Sequence, residues 1–139
     1  MSSEPAATGH HAIILVVERD PHIRALEAFF LNEAGFGVEF AFDGVAALQL
    51  ARAIKPDIII TEVLVPKLDG LALCRAVRKE AELKDTVVLV FSILAAATRA
   101  REAGADAFLM KPLAEQRLVQ TVRELLAQRR TTRPAPGPP

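Results

Sequence analysis

Short apolar runs alternate with helical patterns from residue 12 to about residue 129. Residues 12–17 form an unbroken apolar run of strand length. Asp20-Pro21 follows, an N-cap residue and a proline suited to the first helical position. Ile23, Leu26 and Phe30 then share one helical face, and Gly35 stops the helix. Residues 36–41 read as a second strand, and Asp43 caps a helix carrying Val45, Leu48 and Ala51. Residues 57–61 hold Ile58, Ile59 and Ile60 in succession, a third strand, and Leu71, Cys74 and Val77 mark the next helix. Residues 86–91 predict a fourth strand, 95–103 a short helix and 106–110 a fifth strand. Leu118, Val122, Leu125 and Leu126 line a last helix.

Strands this apolar are covered on both faces, as in a parallel sheet flanked by helices. Five strand–helix units predict a doubly wound α/β domain. In such sheets functional groups gather beyond the C-terminal ends of the strands. The candidates there are Glu18, Arg19 and Asp20 after the first strand, Glu62 after the third, Ser92 after the fourth and Lys111 after the fifth. Glu18 and Glu62 bring two negative charges to this mouth, and Arg19 and Lys111 bring two positive ones. Mg²⁺ requires a surplus of oxygen ligands in octahedral array. A guanidinium repels a metal and offers its donors to carboxylates. Arg19 is therefore expected either to fill the place of a metal, paired with Glu62 or Glu18, or simply to point to solvent beside the strand end.

The chain has 139 residues with 51 % hydrophobic and 24 % charged positions, enough for one domain with a sizeable core. Its 17 basic and 17 acidic residues cancel, so no global field draws it to nucleic acid or an anionic membrane. No apolar run is long enough to span a bilayer. MSSEPAATGHH has no secretory pattern, and Cys74 is the single cysteine. A cytoplasmic location is expected. Residues 1–11 are expected to be disordered, 12–129 to form the domain, and 130–139 to be a proline-rich tail or linker. His10, His11 and His22 lack metal-ligand spacing with other ligands. Cys74 reads as a small core residue, and Arg129, Arg130 and Arg133 as a solvated basic tail.

The segments ILVVERDPHIRAL, PDIIITEVLVPKLDGLALCRAVR, VVLVFS and AGADAFLMKPL together resemble the receiver domains of two-component response regulators. The resemblance covers about residues 12–129. It implies a flavodoxin-like (βα)5 fold with strand order 2-1-3-4-5. It places the Mg²⁺-binding acidic pair on Glu18 and Arg19, followed by Asp20. It places the phosphoacceptor on Glu62, the hydroxyl and lysine that contact phosphoryl oxygens on Ser92 and Lys111, and the switch aromatic on Phe108. It also implies a cis Lys111–Pro112 bond.

Two of these positions depart from the pattern. Glu62 is one methylene longer than the usual aspartate, and misplacing a reacting atom by about an ångström can cost roughly a hundredfold in rate. Its carboxylate reaches toward the phosphoryl position, with less charge than phosphate. Arg19 removes a metal-binding acid. A third departure is that twelve steps separate Ser92 from Gly104, fewer than is usual in the family. The expectation is a non-enzymatic, phosphorylation-independent receiver that binds no cofactor, with Mg²⁺ binding lost or weak. Its partner would be a signalling protein such as a histidine kinase or an effector, with no nucleic acid or membrane bound, and the chain itself a monomer or weak homodimer. The alternatives are a working phosphoacceptor in a phosphorelay, or the regulatory part of a longer protein.

Overall fold

The structure, a computed structural model, describes residues 12–132, so the expectations for residues 1–11 and for 133–139 lie outside the described residues. The elements run β1 (Ile13–Val17), α1 (Pro21–Glu33), β2 (Gly37–Ala41), α2 (Gly44–Ile54), β3 (Ile58–Thr61), α3 (Gly70–Lys79), a 3-10 turn (Ala81–Leu83), β4 (Val87–Ser92), α4 (Ala97–Glu102), β5 (Ala107–Met110) and α5 (Glu115–Thr132). The strands form one sheet in the order β2-β1-β3-β4-β5, every neighbouring pair parallel.

The period of two along each strand divides the core. Ile14, Val16, Ile58, Ile60, Val87, Leu89 and Phe91 face α1 and α5, where Leu31, Leu118, Val122 and Leu126 pack on them. Leu15, Val17, Ile59, Val88 and Val90 face α2, α3 and α4, meeting Ala47, Ala51, Leu73, Cys74, Val77 and Ala100. Each fully buried aliphatic side chain contributes about 1.5–3 kcal/mol relative to exposure. That is why β1, β3 and β4 read as continuous apolar runs.

Helix ends follow local chemistry. Asp20, Asp43 and Asp69 accept backbone N–H groups at the starts of α1, α2 and α3. Gly35 ends the α1 turn at φ +98°, a conformation that side chains rarely adopt. Ala96, at the start of α4, has no capping side chain, and that helix is confined to Ala97–Glu102, shorter than the expected 95–103.

The helix faces differ from the expectation in two places. Leu26 is 47 % exposed, and α1 buries Glu27, Ala28 and Leu31 instead. Val45 is likewise exposed, and α2 buries Gly44, Ala47 and Ala51. Small residues allow both helices to lie close to the sheet, which turns the bulkier apolar ones outward. α5 runs to Thr132, past the expected end near 129. Among the described residues, no helix is long and apolar enough to cross a membrane.

Candidate functional site

The strand register assembles the site. Val17 lies beside Thr61, Thr61 beside Val90, and Ser92 beside Met110. The residues that follow these strand ends therefore converge at the C-terminal edge of the sheet: Glu18 from β1, Glu62 from β3 and Lys111 from β5, with Ser92 as the last residue of β4. Glu18, Glu62 and Ser92 are buried. The Lys111 side chain is 9 % exposed, and the Lys111–Pro112 peptide is cis.

Glu62 is held on all sides. Its Oε2 accepts the Val63 N–H at 2.8 Å and the Ser92 hydroxyl. Its Oε1 accepts the Ile93 N–H at 3.3 Å and the Lys111 ammonium at 3.2 Å. Burial pushes this carboxyl up, but the Ser92 hydroxyl, the Lys111 charge and the Val63 N–H outweigh it and hold the group below the usual range. α3 begins close behind. A Cβ on Gly70 would stand 2.2 Å from the Glu62 carbonyl oxygen, so only glycine lets α3 start against this loop.

Lys111 is the shared cation. Its Nζ lies 2.5 Å from Glu18 Oε1, 3.2 Å from Glu62 Oε1 and 3.9 Å from Glu27 Oε2, and 5.2 Å from the Phe91 ring centroid. Burial lowers its pKa, but the hydrogen bond it donates to Glu18 and the charges of Glu18, Glu27 and Glu62 raise it on balance.

Arg19 does not fill a metal's place. It is exposed and makes no ion pair or hydrogen bond with a described residue, so the expected pairing with Glu62 or Glu18 is corrected. The reason lies in reach and competition. Lys111 reaches in from the end of the edge strand β5 with its stem buried and takes both carboxylates, while the guanidinium is exposed. The charge balance changes accordingly: three carboxylates, those of Glu18, Glu27 and Glu62, surround one ammonium.

Asp20 is turned to α1, accepting the His22 and Ile23 N–H groups at 2.9 and 3.3 Å, and those backbone bonds lower its pKa. The Asp20 N–H donates in turn to Glu18 Oε2. Phe108 is half-buried on β5, packed against the α2–α4 side of the core. His22 is exposed in the first turn of α1. Cys74 is buried, its thiol pushed up to about 11 by desolvation.

The oxygens that the resemblance would offer to a magnesium ion are paired within the protein in this arrangement. The Glu18 oxygens are engaged by Asp20 N–H and Lys111. The Glu62 oxygens are engaged as described, Asp20 caps a helix, and the neighbouring position is an arginine. Among the described residues, no group of three or more His, Cys, Asp or Glu is arranged to hold a metal.

Sequence reasoning missed two residues. Glu27 is buried beneath Lys111, and its Oε2 has no hydrogen-bond partner. Desolvation, the largest influence, raises its pKa to about 7. The available signal was its place on the Ile23–Glu27–Leu31 helical repeat, an acid on an otherwise apolar stripe. Arg24 donates to the Glu18 carbonyl at 3.0 Å and stacks over the Phe42 ring, 4.2 Å from its centroid, so it braces the end of β1. Arg129 is also corrected from a solvated residue. Its guanidinium binds the Asp57 carbonyl and carboxylate at 3.1 and 3.0 Å, at the opposite end of the sheet.

The family model for the response regulator receiver domain matches residues 14–123. The chain is 34 % identical over 123 residues to the DNA-binding dual master transcriptional regulator RpaA of Synechocystis sp., covering 86 % of this chain and 50 % of that protein. It is 38 % identical over 128 residues to the response regulator MprA of Mycobacterium sp., covering 90 % and 54 %. The chain thus spans about half the length of these curated relatives. Among solved structures, the signal receiver domain of a signal transduction histidine kinase from Syntrophus aciditrophicus aligns with a TM-score of 0.81 at 32 % identity, over 91 % of this chain and 98 % of that one. The chemotaxis protein CheY4 of Vibrio cholerae aligns at 0.79 and 29 %, over 84 % and 99 %. A family model over most of the chain, the strand order and these relatives agree: the chain belongs to the response regulator receiver domain family.

Proposed function

We propose that this domain is a receiver that works without accepting phosphate, holding its signalling conformation through internal ion pairs and acting by binding another protein. The observation that carries this reading is the occupancy of Glu62. The Ser92 hydroxyl and the Lys111 ammonium, assigned by the resemblance to phosphoryl oxygens, are already donated to the Glu62 carboxylate. The backbone N–H groups of Val63, Leu64 and Ile93 complete its shell. A phosphoryl group at this position would have to displace these donors from a carboxylate that they stabilise. Reaction at the longer acid would also move the receiving oxygen away from the aspartate position.

Loss of Mg²⁺ affinity belongs to the same reading. The cation would compete with Lys111 for Glu18 and Glu62 beside an arginine, and phosphoryl transfer relies on a metal to neutralise charge. The domain on this reading catalyses no reaction of its own, resides in the cytoplasm and binds no nucleic acid directly, its formal charge being zero. The partner is a kinase or effector of the two-component type. Whether the carboxylate stands for the phosphorylated or the resting form is decided by the partner, which shifts the equilibrium only by its differential affinity for the two.

The test is amide NMR of the whole chain with Mg²⁺ and acetyl phosphate. The expected result is a spectrum unchanged at Ser92, Ile93 and Lys111. Large saturable shifts at those residues, or a hydroxylamine-sensitive phosphopeptide containing Glu62, would establish the alternative, a working phosphoacceptor.

A further inference from the structure

A cavity of about 320 Å³ opens between α1, the β5–α5 connection and α5. Its walls are apolar: Ile23 and Leu26 from α1, Ile93 after β4, and Pro112, Leu113 and Leu118 from the chain around the start of α5. Leu26 and Ile93 are 47 % and 57 % exposed at its edge. Glu27 and Lys111 line it as well. The Glu27 side chain is 8 % exposed, and its Oε2 is a buried acceptor without a donor. A buried polar atom left unpaired costs about 1–3 kcal/mol, more when charged. An apolar hollow of this size with one unsatisfied polar group has the character of a small-molecule site, at the lower end of the usual volumes.

Charge selects the ligand. Lys111 is answered by Glu18 at 2.5 Å and by Glu62 at 3.2 Å, so Glu27, at 3.9 Å, holds the weakest claim on it. Glu115 lines the same cavity and adds a second acid. The charges acting on Glu27 are thus those of Glu18 and Glu62 against the one ammonium of Lys111, with Glu115 a further carboxylate on the cavity wall. An anionic ligand meets net repulsion, and a neutral one leaves the carboxylate unpaired. We infer that this cavity is a binding site for a small amphipathic amine, its apolar body against Ile23, Leu26, Ile93 and Leu113 and its ammonium on the Glu27 carboxylate. The terminal torsion of a glutamate is broad and twofold, so an oxygen can turn into the cavity at little cost. The site adjoins the phosphoacceptor position through Lys111 but is independent of phosphorylation.

Burial raises Glu27 to about 7, so the amine binds the deprotonated form and its affinity rises by about tenfold from pH 6 to pH 8. The probe is 4-phenylbutylamine, compared with 4-phenylbutanol and 4-phenylbutyrate, titrated into the whole chain while methyl resonances are followed at both pH values. Saturable shifts at Leu26, Ile93 and Leu113 are expected for the amine. The alcohol and acid should bind at least tenfold more weakly, and Glu27→Gln should reduce the amine to the alcohol's affinity. Equal binding of amine and alcohol would overturn the inference, as would undiminished binding to Glu27→Gln or no saturable shift with the amine. The ligand series and its pH dependence on the unsubstituted protein decide the question even if the variant folds poorly.

Discussion

With Arg19 turned to solvent, the ammonium of Lys111 stands alone among Glu18, Glu27 and Glu62, and the consequence of removing it is calculable. Breaking a buried ion pair by deleting one partner costs about 3–5 kcal/mol, because the other charge is left unanswered. Lys111→Met is therefore expected to lower stability by about that amount at pH 7.5, read from urea unfolding. A loss below about 1 kcal/mol would mean that Arg19 or water takes over the role. Ser92→Ala tests the neighbouring contact. Its hydroxyl is the foremost influence lowering Glu62, so the variant should move the Glu62 carboxyl upward in a carbon-detected NMR titration. No movement would mean that Lys111 and the backbone N–H groups hold the charge without the hydroxyl. The positions of Glu62, Ser92 and Lys111 were legible in the chain because each follows a strand end. The partner of the carboxylates was not: reach and burial decide between Arg19 and Lys111, and neither shows in a residue's order along the sequence.

At the scale of elements, the end of the sheet opposite the site is tied by side chains that local patterning does not reveal. Arg78 on α3 donates to the Gly104 carbonyl at 2.8 Å, the Thr86 carbonyl at 2.7 Å and Asp106 Oδ2 at 2.7 Å, and the same Asp106 oxygen accepts the Val88 N–H. One guanidinium thus joins α3 to β4 and to the turn between α4 and β5. Removing it takes a donor from the Gly104 and Thr86 carbonyls and from Asp106, which keeps the Val88 N–H, at about 1–3 kcal/mol for each group left unsatisfied where water does not reach. Arg78→Ala should cost about 2–4 kcal/mol and raise amide exchange selectively in α4 and β5, the short helix having no cap of its own. Uniform loss of protection across the sheet would refute this local role. The elements themselves were largely legible, since strands buried on both faces and Asp-capped helices carry strong signals. The faces of α1 and α2 were less so. Alanine and glycine bury as readily as leucine where backbones approach closely, so Leu26 and Val45 turn outward while Phe30, Leu48 and Ala51 of the same stripes pack on the core.

For the molecule as a whole, two acids with opposed environments shape the response to pH. Glu62 is held below its ordinary value, so its stabilising contribution is complete above pH 4.5 and is lost as pH falls through the folded-state value. Glu27 is raised from 4.5 to about 7. Between those values the folded state binds a proton that the unfolded chain has released, and stability declines as pH rises across that window, then levels off. The two limbs together put the maximum near pH 5, below neutrality. The neutral-side decline amounts to about 3 kcal/mol at most. Glu27→Gln keeps the side chain's size and removes the titration, so it should flatten this limb and exceed the unsubstituted protein in stability at pH 8, with little difference at pH 4.5. Urea unfolding at half-unit intervals from pH 4 to pH 8.5 measures both curves. If the unsubstituted protein is as stable at pH 8 as at pH 5, Glu27 finds a proton donor in solution, and the case for an unanswered acid in the α1–α5 cavity fails with it.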